Sequence, residues 1–253
     1  MINFQKYYDN MYYIEIPDKI NLGNRYFDYN INTQIVNDGN YEDNIVDRDI
    51  IHIKGNFDFH RTCLHEVNIA DKHWGTEMIG TFRGCWGLEN AVCGLNVVNM
   101  DSTYYDTNIS EPVCGPNVIN MCNSYGSCQS IINPICGPNV VNMDSTYYYC
   151  RNIITPVCGN NVVNFSGTYR QCDNLTTAVC GNNVRYMDKT YASCPNLTAA
   201  VCGPNVTIMG PSYSYGVEVG PYSYCNNLTT AVCGLNVTNM HWTYSGCNKL
   251  QQV

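Results

Sequence analysis

Sixteen cysteines and five histidines are the residues of this 253-residue chain whose types could do chemistry. Fourteen of the cysteines fall into two series. One runs Cys93, Cys114, Cys136, Cys158, Cys180, Cys202 and Cys233. The other runs Cys85, Cys128, Cys150, Cys172, Cys194, Cys225 and Cys247, with Thr107 in the missing place. Zinc needs four converging ligands, with cysteine pairs two to four residues apart. Here the intervals alternate between about 8 and 14 residues, so no metal is expected. Stacked cysteines would lie close enough for disulfides, but parallel Cβ vectors suit the disulfide dihedral poorly. The expected state is a ladder of buried free thiols, since free cysteine packs as a small hydrophobe.

The remaining chemistry is sparse. His52, His60, His65 and His73 stand near Asp58, Glu66 and Asp71, and could meet as a metal or acid–base site. Scattered histidines of this kind more often lie on a surface. No phosphate-binding loop, nucleophile elbow or His-Glu-x-x-His motif is present. Asp101, Asp144 and Asp188 share one repeat position, which predicts a row of carboxylates rather than a pair across a cleft. No cofactor is expected.

The elements that hold these residues come from a repeat of 22 residues. Seven segments share the spacing of Leu88-x-x-Ala91-x-Cys93-x-x-Asn96. They continue from Ile109 to Asn117, Ile131 to Asn139, Ile153 to Asn161, Leu175 to Asn183, Leu197 to Asn205 and Leu228 to Asn236. This is a leucine-rich-repeat frame with smaller residues at its second and third apolar positions. It predicts a β-rich solenoid, a right-handed stack of coils with short parallel strands about 4.8 Å apart. Residues 50–79, with Ile51-His-Ile53 and Leu64-x-x-Val67-x-Ile69, read as degenerate capping coils before the regular coils of 80–253. Residues 1–49 read as an arm or docking segment, with strand candidates at Met11–Ile16 and Arg25–Ile31.

Composition narrows the function. Only 13% of residues are charged, and the net charge is −8, which argues against a nucleic-acid binder. Residues 80–253 hold 8 acids and 6 bases, so the repeat region is nearly neutral. No apolar run is long enough to span a membrane, and no Sec-type signal opens the chain, so export by lysis or on a carrier particle is expected.

The segment Leu-Thr-Thr-Ala-Val-Cys-Gly-Leu-Asn-Val-Thr-Asn-Met240, after Tyr-Ser-Tyr-Cys225-Asn-Asn, resembles the BspA-like leucine-rich repeats of bacterial surface proteins. The resemblance covers residues 60–253. It implies a solenoid that works as an adhesion or interaction surface and carries no catalytic residues. Cysteine in place of a strand aliphatic departs from the family pattern.

Columns of the repeat then suggest where partners bind. Alternation along a strand turns Val92, Val113, Ile135, Val157, Val179, Val201 and Val232 outward, and a stripe of that length marks an interface. Pro112, Pro134 and Pro156 qualify this, because proline interrupts a ladder. Asn96, Asn117, Asn139, Asn161, Asn183, Asn205 and Asn236 are expected to lock turns to the neighbouring coil. Phe82, Tyr104, Tyr125, Tyr147, Tyr169, Tyr191 and Tyr244 form an aromatic column, with Tyr222 taking this place in the insert; the column is expected on the convex side with hydroxyls at the rim, or else as a sugar-stacking surface. An insert near 210–224 carries Tyr213, Tyr215, Tyr222 and Tyr224, and reads as a binding loop or a covering strand pair. The chain stops at Leu250-Gln-Gln-Val253, where a further strand would begin, so a second copy or another protein is expected to cover that coil.

Taken together, these features predict a non-catalytic structural or attachment protein of a phage virion. Its partners would be other virion or surface proteins, a homo-oligomer, or a host glycan, with no nucleic acid and no membrane insertion. The alternative is a bacterial cell-surface adhesin.

Overall fold

Every regular coil before the last buries the same five positions. A computed structural model describes residues 76–91, 93–210 and 218–251, together with the backbone of the strands named below. The Leu88 position is buried in every coil through Leu228, the Val97 position through Val206, and the Met100 position through Met209. The aromatic position is buried from Phe82 through Tyr222, and the cysteine position of Cys85 through Cys225, with Thr107 buried in its place in one coil. One coil is too short to enclose these side chains by itself, so stacking its neighbours builds a single continuous core.

The coils are tied together in a different stretch from the one the repeat frame suggests. Isolated parallel bridges link Asn99 to Asn120, Asn120 to Asn142 and Asn142 to Asn164. From there the N–H groups of Met100, Ser102, Tyr104 and Asp106 donate to the Asn120, Cys122, Ser124 and Gly126 carbonyls at 2.8–2.9 Å. The intervening Thr103 N–H turns back to the Met100 carbonyl at 3.1 Å. Ser102 and Asp106 reach this geometry with φ of 54° and 60°. A left-handed conformation costs a non-glycine residue about 1 kcal/mol. The inter-coil hydrogen bonds that it aims offset that strain.

The expected strands at the Leu-x-x-Ala/Pro-x-Cys stretch are not formed as a sheet. Among the described residues that stretch carries single bridges at Asn90–Glu111 and Ala199–Thr230. Proline withholds a donor at Pro112, Pro134 and Pro156. The neighbouring valine backbones are occupied by tyrosine hydroxyls, as described below.

Among the described residues, seven short strands lie outside the regular coils. They are β1 (Asn3–Phe4), β2 (Tyr12–Ile16), β3 (Phe27–Asp28), β4 (Ile53–Lys54), β5 (Leu64–Ile69), β6 (Ser212–Ser214) and β7 (Val217–Val219). β2 pairs antiparallel with β1 and parallel with β5, placing Ile14 opposite Val67 and Ile16 opposite Ile69. β3 and β4 pair in parallel. The strand expected at Met11–Ile16 is present as β2, and β3 lies within the candidate at Arg25–Ile31, whose other residues lie outside the described ones. The histidine cluster lies outside the residues whose side chains are described.

Candidate functional site

The aromatic column is a buried stack. From Phe82 to Tyr244, successive ring centroids lie 5.3–5.9 Å apart with interplanar angles of 8–16°. This is offset stacking. Tyr104 through Tyr222 are fully buried, so these rings face one another and cannot serve as a sugar platform. Their hydroxyls do not reach a rim. Tyr125 Oη donates to the Val113 carbonyl at 2.6 Å and accepts from the Val113 N–H at 2.9 Å. The same two-way bond joins Tyr147 to Ile135 and Tyr191 to Val179. Burial pushes each of these phenols well above its ordinary pKa.

The apolar stripe is therefore a backbone clamp as much as a surface. Val113, Ile135, Val157, Val179 and Val201 are half-buried, and Val232 is exposed. Val92 lies outside the described residues. More open apolar side chains stand elsewhere in the coils, at Ile119, Ile132, Val141 and Ile154. Strict alternation does not point to these side chains, because the segment it assumes to be a strand does not form a sheet.

The described cysteines are all free thiols. From Cys128 onward, those of the buried series donate to a tyrosine carbonyl one coil back. Cys128 reaches Tyr104 O at 3.0 Å, Cys150 reaches Tyr125 O at 3.0 Å, and Cys194 reaches Tyr169 O at 3.0 Å. In the coil that lacks this cysteine, the Thr107 hydroxyl donates instead to the Tyr104 carbonyl of its own coil at 2.9 Å. Burial raises the Cys194 thiol to about 12 and the Cys128 thiol to about 11. The second series explains the recurrent Cys-Gly pair. A Cβ on Gly159 would stand 2.6 Å from Cys136 Sγ, and one on Gly181 would stand 2.9 Å from Cys158 Sγ. Glycine is required there for close approach between coils.

Asn117, Asn139, Asn161 and Asn183 bond the backbone of the preceding coil, each donating to a carbonyl at 2.8–2.9 Å. A second asparagine column, outside the leucine-rich-repeat frame, also joins the coils. Asn120 Nδ2 donates to Asn99 Oδ1 at 2.8 Å, and Asn142 Nδ2 to Asn120 Oδ1 at 2.9 Å. The signal for it was present in the repeated Asn-Met pairs at 99–100, 120–121 and 142–143.

The insert forms an antiparallel hairpin, with Tyr213 of β6 opposite Glu218 of β7. Tyr215 lies outside the described residues. Tyr222 is not a loop-binding residue: it keeps its place in the aromatic column, buried between Tyr191 and Tyr244. Tyr224 is exposed. In the last coil Val237, Met240, Tyr244, Cys247 and Leu250 are half-buried where their counterparts are buried.

A groove of about 950 Å³ runs along the turn face of the stack. Arg83, Tyr105, Tyr148 and Arg170 line it, and all stand two residues before the buried-thiol position. Gly126 completes that row, and the Tyr105 ring lies over it, so that a Cβ there would meet ring carbons at 2.8 and 2.9 Å. Arg83 sits 4.9 Å from the Tyr105 centroid, and Arg170 sits 5.6 Å from the Tyr148 centroid. Asp144, Asp188 and Lys189 line the neighbouring rows. Asp144 and Asp188 are two coils apart in one row, with Ser166 between them, as the repeat spacing predicts. Burial raises the Asp188 carboxyl, Lys189 opposes that shift, and Asp144 adds to it.

No protein-family description and no curated protein matches the chain. Among solved structures, a leucine-rich repeat protein from Bacteroides ovatus is similar over 98% of this chain and 91% of that one, at 12% identity and a TM-score of 0.36.

Proposed function

We propose that the chain is a non-catalytic attachment or structural protein of a phage particle, built on a right-handed BspA-like leucine-rich-repeat solenoid. The observation that carries this reading is the thiol ladder. Its cysteines serve as hydrogen-bond donors to backbone carbonyls rather than as crosslinks. Such a ladder suits folding in a reducing cytosol, where virion proteins assemble before lysis. The family reading is supported by the buried Leu88 column and by the asparagines that bond the preceding coil. Partner contact is assigned to the exposed apolar side chains along the coils and at Val232 and Leu235.

Antibody against residues 80–253 tests the setting. Decoration of intact particles from a lysed host culture, with loss of host adsorption, is the expected result. Antigen retained in the envelope of unlysed cells would instead favour the adhesin. Antigen found free in the cytosol and on neither structure would overturn both readings.

A further inference from the structure

The two thiol series are held differently. From Cys128 onward the buried series gives its proton to a tyrosine carbonyl, at 3.0 Å for Cys128, Cys150 and Cys194. The thiols from Cys93 to Cys202 are half-buried, and each lies against the glycine that follows the next cysteine. Their S–H contacts to a glycine carbonyl are long, at 3.5–3.8 Å. In return the Gly115 N–H donates to Cys93 Sγ at 3.2 Å. The same approach recurs down the column, where a Cβ on Gly159, Gly181, Gly203 or Gly234 would stand 2.6–2.9 Å from a sulfur. A hydrogen bond donated to sulfur favours the charged thiolate. Two members of the series also face a second sulfur. Cys93 Sγ lies 3.7 Å from Met100 Sδ, and Cys180 Sγ lies 3.5 Å from Met187 Sδ. Both methionines are buried, so their sulfurs are fixed in place.

We propose that Cys180, Cys202 and Met187 bind a cuprous ion, and that Cys93, Cys114 and Met100 form a second site of the same kind. Thiolate and thioether sulfur together select Cu(I), zinc or an iron–sulfur cluster. Zinc needs four ligands converging on a tetrahedron, and a cluster needs four thiolates. A column supplies one thiol per coil, so neither can be satisfied. Cu(I) is complete with two or three sulfurs. Stacked coils set equivalent atoms about 4.8 Å apart. A metal–thiolate bond is about 2.3 Å long, so a linear sulfur–metal–sulfur pair spans about 4.6 Å. A disulfide, with sulfurs about 2.05 Å apart, would require the coils to close up. Met187 Sδ then approaches from the core side as the third donor. Burial raises the Cys180 thiol to about 11, so the incoming cation must displace its proton. Each site exchanges two S–H protons for one Cu(I): two Cu–S bonds form, two S–H bonds break, and no electron is transferred. The buried series has no such role, since its protons are engaged and its sulfurs are closed off from solvent. This inference uses the other series of thiols from the one that carries the proposed function, and it does not depend on the virion setting.

The test is anaerobic titration of the full, folded chain with Cu(I) against bicinchoninate as a coloured competitor. About two ions should be held per chain, one for each methionine-flanked pair, and X-ray absorption should show sulfur ligands alone at about 2.3 Å. Cys93→Ser combined with Cys180→Ser should release both ions with an unchanged unfolding transition. Cys122→Ser, outside both series, should release neither. Met100→Leu combined with Met187→Leu should weaken retention at least threefold and lower the sulfur count at the metal, a readout that survives if the serine variants fail to fold. Zinc should not be held against a zinc chelator. No retained Cu(I), oxygen or nitrogen in its shell, or equal retention of zinc would each overturn the inference. So would retention indifferent to the serine pair, which would mean adventitious binding at other thiols, or a sulfur count indifferent to the leucine pair. Particle labelling can fail while this titration succeeds, and the reverse, so the two readings separate.

Discussion

The Tyr169 hydroxyl and the Val157 main chain hold each other in both directions. Tyr169 Oη accepts from the Val157 N–H at 2.8 Å and donates to the Val157 carbonyl at 2.9 Å. One phenol thus satisfies a donor and an acceptor that would otherwise pair in a parallel ladder. Repeated coil after coil, this bond replaces a β-sheet with a stack of clamped turns.

Removing that hydroxyl should therefore cost more than its size suggests. Tyr169→Phe keeps the ring stack but leaves the Val157 N–H and carbonyl unpaired. The expected loss is about 1–3 kcal/mol in urea unfolding. Tyr224→Phe, at an exposed position, should change stability by less than about 0.5 kcal/mol. Equal effects from the two would refute the clamp.

The Cys-Gly pair gives a coupling that can be measured. Gly159→Ala places a methyl against Cys136 Sγ and should destabilise by about 1–3 kcal/mol. Cys136→Ala removes the sulfur. The double variant should recover part of the loss, read as a non-zero interaction term in a double-mutant cycle. Strict additivity would show that the glycine serves some other purpose.

Stability should fall in alkali. The native thiols are raised from 9.0 to about 12 at Cys194 and about 11 at Cys128, and burial is the main cause. Between those values and 9.0, the unfolded chain has lost protons that the native chain keeps. The native state then binds more protons, so stability is intact below pH 9 and declines as pH rises toward 12. The raised tyrosines push in the same direction from 10.0 upward. Denaturant midpoints measured from pH 7 to pH 11 check this, and a flat profile would contradict it.

Alkylation should sort the cysteines by burial. Cys233 is exposed and should react first in the native protein. The series from Cys128 to Cys225 should be labelled only after unfolding, and all sixteen cysteines should then react under non-reducing conditions. Peptide mapping by mass spectrometry would resolve the order.

Assembly through the exposed apolar residues is open to a direct check. Light scattering on the full chain should show a species larger than the monomer, and Val232→Asp combined with Leu235→Asp should reduce its size. A wild-type monomer at high concentration would remove the basis for that contact.

The sequence by itself determined the period, the identity of the buried columns and the turn-locking asparagines. These follow from stacking, because position k of each coil must meet position k of the next, and a spacing of 22 residues, departed from between Leu88 and Ile109 and at the insert before Leu228, leaves little choice of partner. The sequence also holds the Asn99 column, which is less legible because Tyr186 and Ile208 stand in it where the other coils have asparagine. Only the tertiary structure decided what the backbone does between columns. Whether Val113 pairs with a neighbouring strand or with Tyr125 depends on where a phenol twelve residues away ends up, and local propensity cannot report that. The groove was hidden for a similar reason. Arg83, Tyr105, Gly126, Tyr148 and Arg170 share no residue type, so no pattern search joins them, and the stack alone brings them into one row.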